Sequence, residues 1–177
     1  MRLEEREKLV RFEQVVLPHM DAAYNLARWL TRNDHDAQDV VQEACLRAFR
    51  FWEGYHGGDA RAWLLAIVRN TCFTWMQQNR APGAMTTFDE EVHSVESDAA
   101  TPETLLLQSA DQALIRQALE ELPVHFREVL VLRELEGLSY KEIADVAGIP
   151  LGTVMSSLAR ARKRLRESLA SSLAKER

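Results

Sequence analysis

Few cysteines, no long apolar run and no surplus of positive charge mark this 177-residue chain, and each lack narrows what it can be. Its two cysteines, Cys45 and Cys72, lie far apart with no CxxC spacing, so they build neither a disulfide framework nor a zinc knuckle. Both fall within helical apolar patterns and read as buried thiols. The histidines, His19, His35, His56, His93 and His125, show no ligand spacing, and no metal site is expected. No apolar run approaches the roughly 20 residues that cross a bilayer, and Met1 to Arg11 is too charged for a secretory signal. A cytoplasmic location without membrane insertion is expected. The sequence offers no Ser-His-Asp set, paired catalytic acids or P-loop, so no enzymatic role and no cofactor are expected. No segment reads as a convincing strand, and the expected fold is all-α.

The net charge of −5 argues at first against a nucleic-acid partner, but its distribution reverses that. Residues 1–80 hold 11 Lys+Arg against 11 Asp+Glu, residues 81–112 none against 7, and residues 113–177 11 against 9. The excess of acid sits in the middle, while Arg160, Arg162, Lys163, Arg164 and Arg166 crowd the last helix. Two balanced parts joined by an acidic connector are implied, and the apolar content is enough for two small helical domains.

In the first part, Phe12, Val15, Val16, Met20, Ala23, Leu26 and Ala27 recur at helical spacing, followed by Leu30, until Asn33-Asp34 breaks the run. A second helix should start after Asp34 or His35, burying Ala37, Val40, Val41, Ala44, Cys45 and Ala48. Gly54, Gly57 and Gly58 mark a loop, and a third helix should span Ala60 to Asn79 with Trp63, Leu64, Ile67, Val68, Thr71 and Trp75 along it. Residues 81–100 combine Pro82, Gly83, hydroxyls and acids without periodicity, as a flexible linker does. Thr101-Pro102-Glu103 is a helix start for a run to about Glu121. Pro123 opens another, with apolar contacts from Phe126, Val129, Leu130 and Leu132 to Leu135, ended by Gly137.

Leu138 to Arg166 is the richest stretch. Ser139 and Glu142 have capping-box spacing before Ile143 and Ala144, so a helix starts there. Gly148 permits its end, and Pro150 discourages continuation. In the next helix Val154, Leu158, Ala161 and Leu165 fall on one face, and Thr153, Ser156, Ser157, Arg160 and Arg164 on the other. Two helices joined by a short Gly-containing turn form a helix-turn-helix, whose second helix enters the major groove.

Three segments resemble the extracytoplasmic-function group of bacterial sigma-70 factors: DAQDVVQEACLRAF (36–49), RAWLLAIVRNTCFTWMQQNR (61–80) and Leu119 to Arg166. They occur in the family's order and cover most of residues 10–170. The resemblance implies sigma region 2 over residues 1–80, an acidic linker with the start of the next helix over 81–112, and sigma region 4 over 113–177. It implies an alternative sigma factor that binds core RNA polymerase and directs promoter recognition, melting and initiation. Expected partners are core polymerase, through the β′ clamp helices and the β subunit, promoter DNA and an anti-sigma factor. The acidic linker would run near the RNA exit path; a plain solvated tether explains its composition equally well.

Asp36, Asp39 and Glu43 lie at i, i+3 and i+7, an acidic stripe able to pair with arginines. With Val40, Gln42 and Leu46 they form the surface that the resemblance assigns to polymerase. It assigns the minus-ten element to Phe51, Trp52, Tyr55, Arg61, Arg69 and Asn70, whose aromatics can stack on unpaired bases. Trp63 and Trp75 read as core. Thr153, Ser156, Ser157, Arg160, Arg162, Lys163 and Arg164 are assigned to the minus-thirty-five element, although Met155 and Ser157 stand where the family often has basic residues. Two other readings fit part of the pattern: a stand-alone helix-turn-helix regulator, which leaves the 36–49 helix unexplained, and a sigma mimic that sequesters an anti-sigma factor.

Overall fold

The computed structural model describes residues 2–79 and 110–176, and every regular element among them is helical. The linker, Arg80 and the Thr101-Pro102-Glu103 helix start lie outside the described residues.

α1 (Leu3–Val16) buries Phe12 and Val16 and then stops, because Pro18 lacks the N–H that a continuing helix needs. A 3-10 turn at Leu17–His19 redirects the chain into α2 (Met20–Thr31). The periodicity runs through this break, so spacing alone had suggested one continuous helix. α2 ends on Arg32, a non-glycine residue in the left-handed region at φ 59°. α3 (Asp34–Arg50) starts one or two residues earlier than the sequence suggests: Asn33 is its cap and accepts from the Asp36 amide at 3.0 Å. After a 3-10 turn at Trp52–Gly54, Asp59 caps α4 (Ala60–Gln78) by accepting from the Ala62 amide. α2, α3 and α4 pack on one another around Leu26, Leu30, Val40, Leu64, Leu65 and Val68.

In the second half α5 (Ala110–Glu120) leads to α6 (Val124–Leu130), which widens into a π turn at Val131–Leu135. There the Glu136 amide donates to the Val131 carbonyl at 3.0 Å. The expectation that Leu132 to Leu135 all supply core contacts is corrected. Leu132 is buried but Leu135 is 54% exposed, because the wider turn carries it off the apolar face. Gly137, at φ 67°, ends the segment as expected.

α7 (Tyr140–Ala147) carries the full capping box: the Ser139 hydroxyl accepts from the Glu142 amide, and the Ser139 amide donates to the Glu142 carboxylate. Gly148, left-handed at φ 67°, closes it, and α8 (Leu151–Lys175) follows Pro150. Val154, Leu158 and Ala161 are buried and Leu165 half-buried, the apolar face the spacing predicts. The two halves abut, α4 against α7 and α2 against α6, and one run of buried side chains crosses between them.

Candidate polymerase and nucleic-acid interfaces

On α3 the acidic stripe is present as a surface. Asp39, Gln42 and Glu43 are exposed, Asp36 is half-buried, and Leu46 ends the stripe at 57% exposure. Burial and the neighbouring Asp39 push the Asp36 carboxyl up, so the stripe concentrates charge that a cationic partner would relieve. Glu43 already accepts from Arg47, four residues on, at 3.1 Å. Val40 is a correction: it is 1% exposed and packs inward, so it supports the helix and offers a partner no surface. Its inward direction follows from its place on the same face as Ala37 and Ala44.

The loop after α3 gathers more aromatics than its own sequence stretch contains. Trp52 stacks on Tyr55 at 5.2 Å and meets Phe12 edge-on at 5.5 Å, while Phe12 meets Phe49 at 5.2 Å and Trp63 meets Tyr55 at 5.1 Å. The sequence offers Phe12 only as a helix-spacing residue and Phe49 only as the end of the 36–49 segment, and the return of α1 toward the end of α3 joins them to this cluster. The Tyr55 hydroxyl donates to the Gly58 carbonyl and so holds the loop. Phe51 is the ring left open, at 63% exposure. Trp63 and Trp75 are half-buried and pack on the core, as expected.

Along α4, Asn70 is exposed and its side-chain oxygen accepts from Arg69. Arg61 and Arg69 are half-buried: Arg61 donates to the Glu136 carbonyl at 2.9 Å and Arg69 to the Glu128 carboxylate at 2.6 Å, both in the other half. The Ala62 amide donates to the Asp59 carboxyl at 3.1 Å, which favours its charged form.

On α8, Thr153, Ser156, Arg160, Lys163 and Arg164 are exposed and Ser157 is half-buried. Arg164 lies over the Phe126 ring at 5.1 Å, and Arg162 donates to Glu134 at 2.9 Å. Arg160 and Lys163 thus keep the outward face basic, while Arg162 fastens α8 to the π-turn segment.

This order of surfaces has a counterpart among known proteins. The family model for sigma-70 region 2 matches residues 15–81, and that for sigma-70 region 4 matches residues 112–165. A Pseudomonas aeruginosa protein, RNA polymerase sigma-H factor, is 33% identical over 89% of this chain and 86% of its own length. The chain belongs to the extracytoplasmic-function group of the sigma-70 family. ECF RNA polymerase sigma factor SigE of Mycolicibacterium smegmatis is 38% identical over 90% of this chain, which spans 62% of that longer relative. The sigma factor RpoE, solved in complex with the anti-sigma factor NepR from Bartonella quintana, is similar at 28% identity. It covers 90% of this chain and 97% of its own, with a TM-score of 0.72. Sigma factors are regulatory subunits and not enzymes. Among the described residues no helix of this sigma factor is long and apolar enough to cross a membrane.

Proposed function

We propose that this chain is an alternative sigma subunit that docks on core RNA polymerase through α3, opens and reads the minus-ten element with α4 and its preceding loop, and reads the minus-thirty-five element with α8. It works in the cytoplasm, where polymerase and promoter DNA are, and an anti-sigma factor restrains it until a signal arrives. Residues 1–80 serve as region 2, 81–112 as the connector and 113–177 as region 4.

The α3 stripe is the observation that carries this reading. A stand-alone regulator has no use for an acidic helix face ending on an exposed leucine, whereas Asp36, Asp39, Gln42, Glu43 and Leu46 together suit a cationic coiled-coil surface with an apolar seam. Exposed ion pairs contribute only about 0–1 kcal/mol each, so Leu46 carries a large share of the affinity. Replacing it with Ala should weaken binding to core polymerase by roughly tenfold, about 1.4 kcal/mol, with folding intact. Minus-ten contacts fall to Phe51, Trp52, Tyr55, Arg61, Arg69 and Asn70. Those upstream fall to Thr153, Ser156, Ser157, Arg160, Lys163 and Arg164, with Arg162 placing the helix.

The deciding experiment is in vitro transcription with purified core polymerase and a library of promoter DNA. New transcripts that need this chain, share two upstream elements and fall with Leu46→Ala establish the reading. A folded protein that yields none sinks it in favour of operator binding or anti-sigma sequestration.

A further inference from the structure

The proposed minus-thirty-five contacts leave one exposed row of α8 without a role. From Leu151 to Arg166 the chain holds Arg160, Arg162, Lys163, Arg164 and Arg166 and no acid, so a polyanion suits the helix as a whole. Its positive charge is confined to the second part, however. The first turns, which in a helix-turn-helix contact base edges, carry none. Ser156, Arg160 and Arg164 stand at i, i+4 and i+8 and form a polar row, all three exposed. The adjacent row, Leu151, Met155 and Ala159, has the same spacing and is apolar throughout. Leu151 is 50% exposed and Met155 54%, and Ala159 is exposed as well, so the row stands apart from the buried line of Val154, Leu158 and Ala161. Lys163, four residues on from Ala159, carries it into the basic end. A lone exposed leucine is ordinary; an apolar row at the reading end of a helix, bordered by arginines, has a specific use.

We propose that this row reads thymine: Met155, flanked by Leu151 and Ala159, packs on the 5-methyl groups of one or two thymines in the minus-thirty-five element and is a specificity-determining residue of α8. The inference rests on the proposed reading of that element by α8 and names the base chemistry selected there. In the major groove the base pairs offer one apolar group, the thymine methyl, among hydrogen-bond donors and acceptors. Met155 has only a weakly accepting thioether, and Leu151 and Ala159 have no polar side-chain atom. Against cytosine the row would strip water from the N4 donor and return no acceptor of comparable strength, which costs binding. Against thymine it buries a methyl, a gain of about fourfold in affinity for each methyl covered. Methionine is unbranched and flexible, so one side chain can follow two neighbouring methyls.

Core polymerase carrying the full chain tests this on promoter DNA selected from a library by in vitro transcription. The selected upstream elements should share thymine at one or two positions. Replacing each such thymine with deoxyuridine removes only the methyl, and a competition gel shift reads the affinity. Wild type should lose about three- to fourfold at a read position. Met155→Ala should bind thymine and deoxyuridine alike there, and Met155→Leu should restore the discrimination. Circular dichroism should show both variants folded, since the side chain lies outside the core. Arg160→Ala separates base reading from charge. It should weaken binding to every fragment alike and reduce the salt slope by about one, whereas Met155→Ala leaves that slope unchanged.

Selected elements without a shared thymine, a wild type indifferent to deoxyuridine at every upstream position, or a methyl effect that persists in Met155→Ala overturns the proposal. A Met155→Ala chain that loses affinity for core polymerase instead makes the row a protein-docking surface and overturns it too. If no upstream base matters and Arg160→Ala also changes nothing, the assignment of α8 to the minus-thirty-five element has failed, and the thymine reading with it.

Discussion

Glu128 shows how position overrides residue type. Burial raises its carboxyl despite Arg69, so its protonated form is favoured more in the folded chain than in the unfolded one. A raised acid contributes stability that is full below the ordinary glutamate value of about 4.3 and is lost as pH rises through the folded value. Arg69, His125 and Cys72 face the same carboxyl. Comparing wild type with Glu128→Gln, which cannot ionise, isolates its part. Wild type should lose ground to the variant as pH rises from about 4.5, in thermal unfolding followed by circular dichroism. A constant difference across the range would refute the burial account. Nearby, burial and the Glu128 charge push the Cys72 thiol up to about 12. At pH 8 only about one molecule in 10⁴ then carries the thiolate, and burial raises Cys45 also. A thiol reagent should label neither quickly in the native protein and both in denaturant; fast native labelling of Cys72 would contradict its burial. The sequence made Cys72 legible as a buried thiol, since helical spacing reports which face a residue occupies, whereas Cys45, expected in the buried stripe too, is only half-buried at the edge of that face. The same spacing put Val40 in the buried stripe, which is the assignment the structure supports over its place on the docking surface.

Elements were most legible where their signals are local. The Ser139–Glu142 box, Gly148 and the buried line Val154, Leu158, Ala161 lie within a few residues of the features they set, and all were readable before the fold was known. Where a break competes with a strong apolar repeat, reading failed. Pro18 interrupts a run whose spacing continues on both sides, and the π turn at Val131–Leu135 has no marker in a stretch of good helix formers. Ser139→Ala tests the local account. It removes the hydroxyl that satisfies the Glu142 amide, so it should cost about 1 kcal/mol and lower the midpoint of thermal unfolding by roughly 2–4 °C. Binding of minus-thirty-five DNA should weaken as well, since α7 sets the angle of α8. An unchanged midpoint would show that water replaces the cap at no cost.

How the halves meet was the least legible, for a physical reason: periodicity tells which face of a helix is apolar but not which distant face covers it. Arg61, Arg69 and Asp59 read as an open loop and helix for DNA, and in the fold they meet Glu136, Glu128 and Glu142 from residues far along the chain. The expectation of two separate units likewise gives no hint that buried side chains run without interruption from Phe12 to Ala161. That continuity has a thermodynamic consequence. If each half supplies part of the other's cover, opening one exposes apolar surface on both, and the chain should unfold in a single transition whose calorimetric and van't Hoff enthalpies agree. Glu128→Ala weakens the boundary without touching either half's own packing around Leu64 or Leu158. It should therefore convert the single transition into two, each near the stability of one half alone. Wild type that already melts in two steps would mean that the halves ignore each other energetically, and the contacts around Arg69 would then be too weak to hold α4 covered.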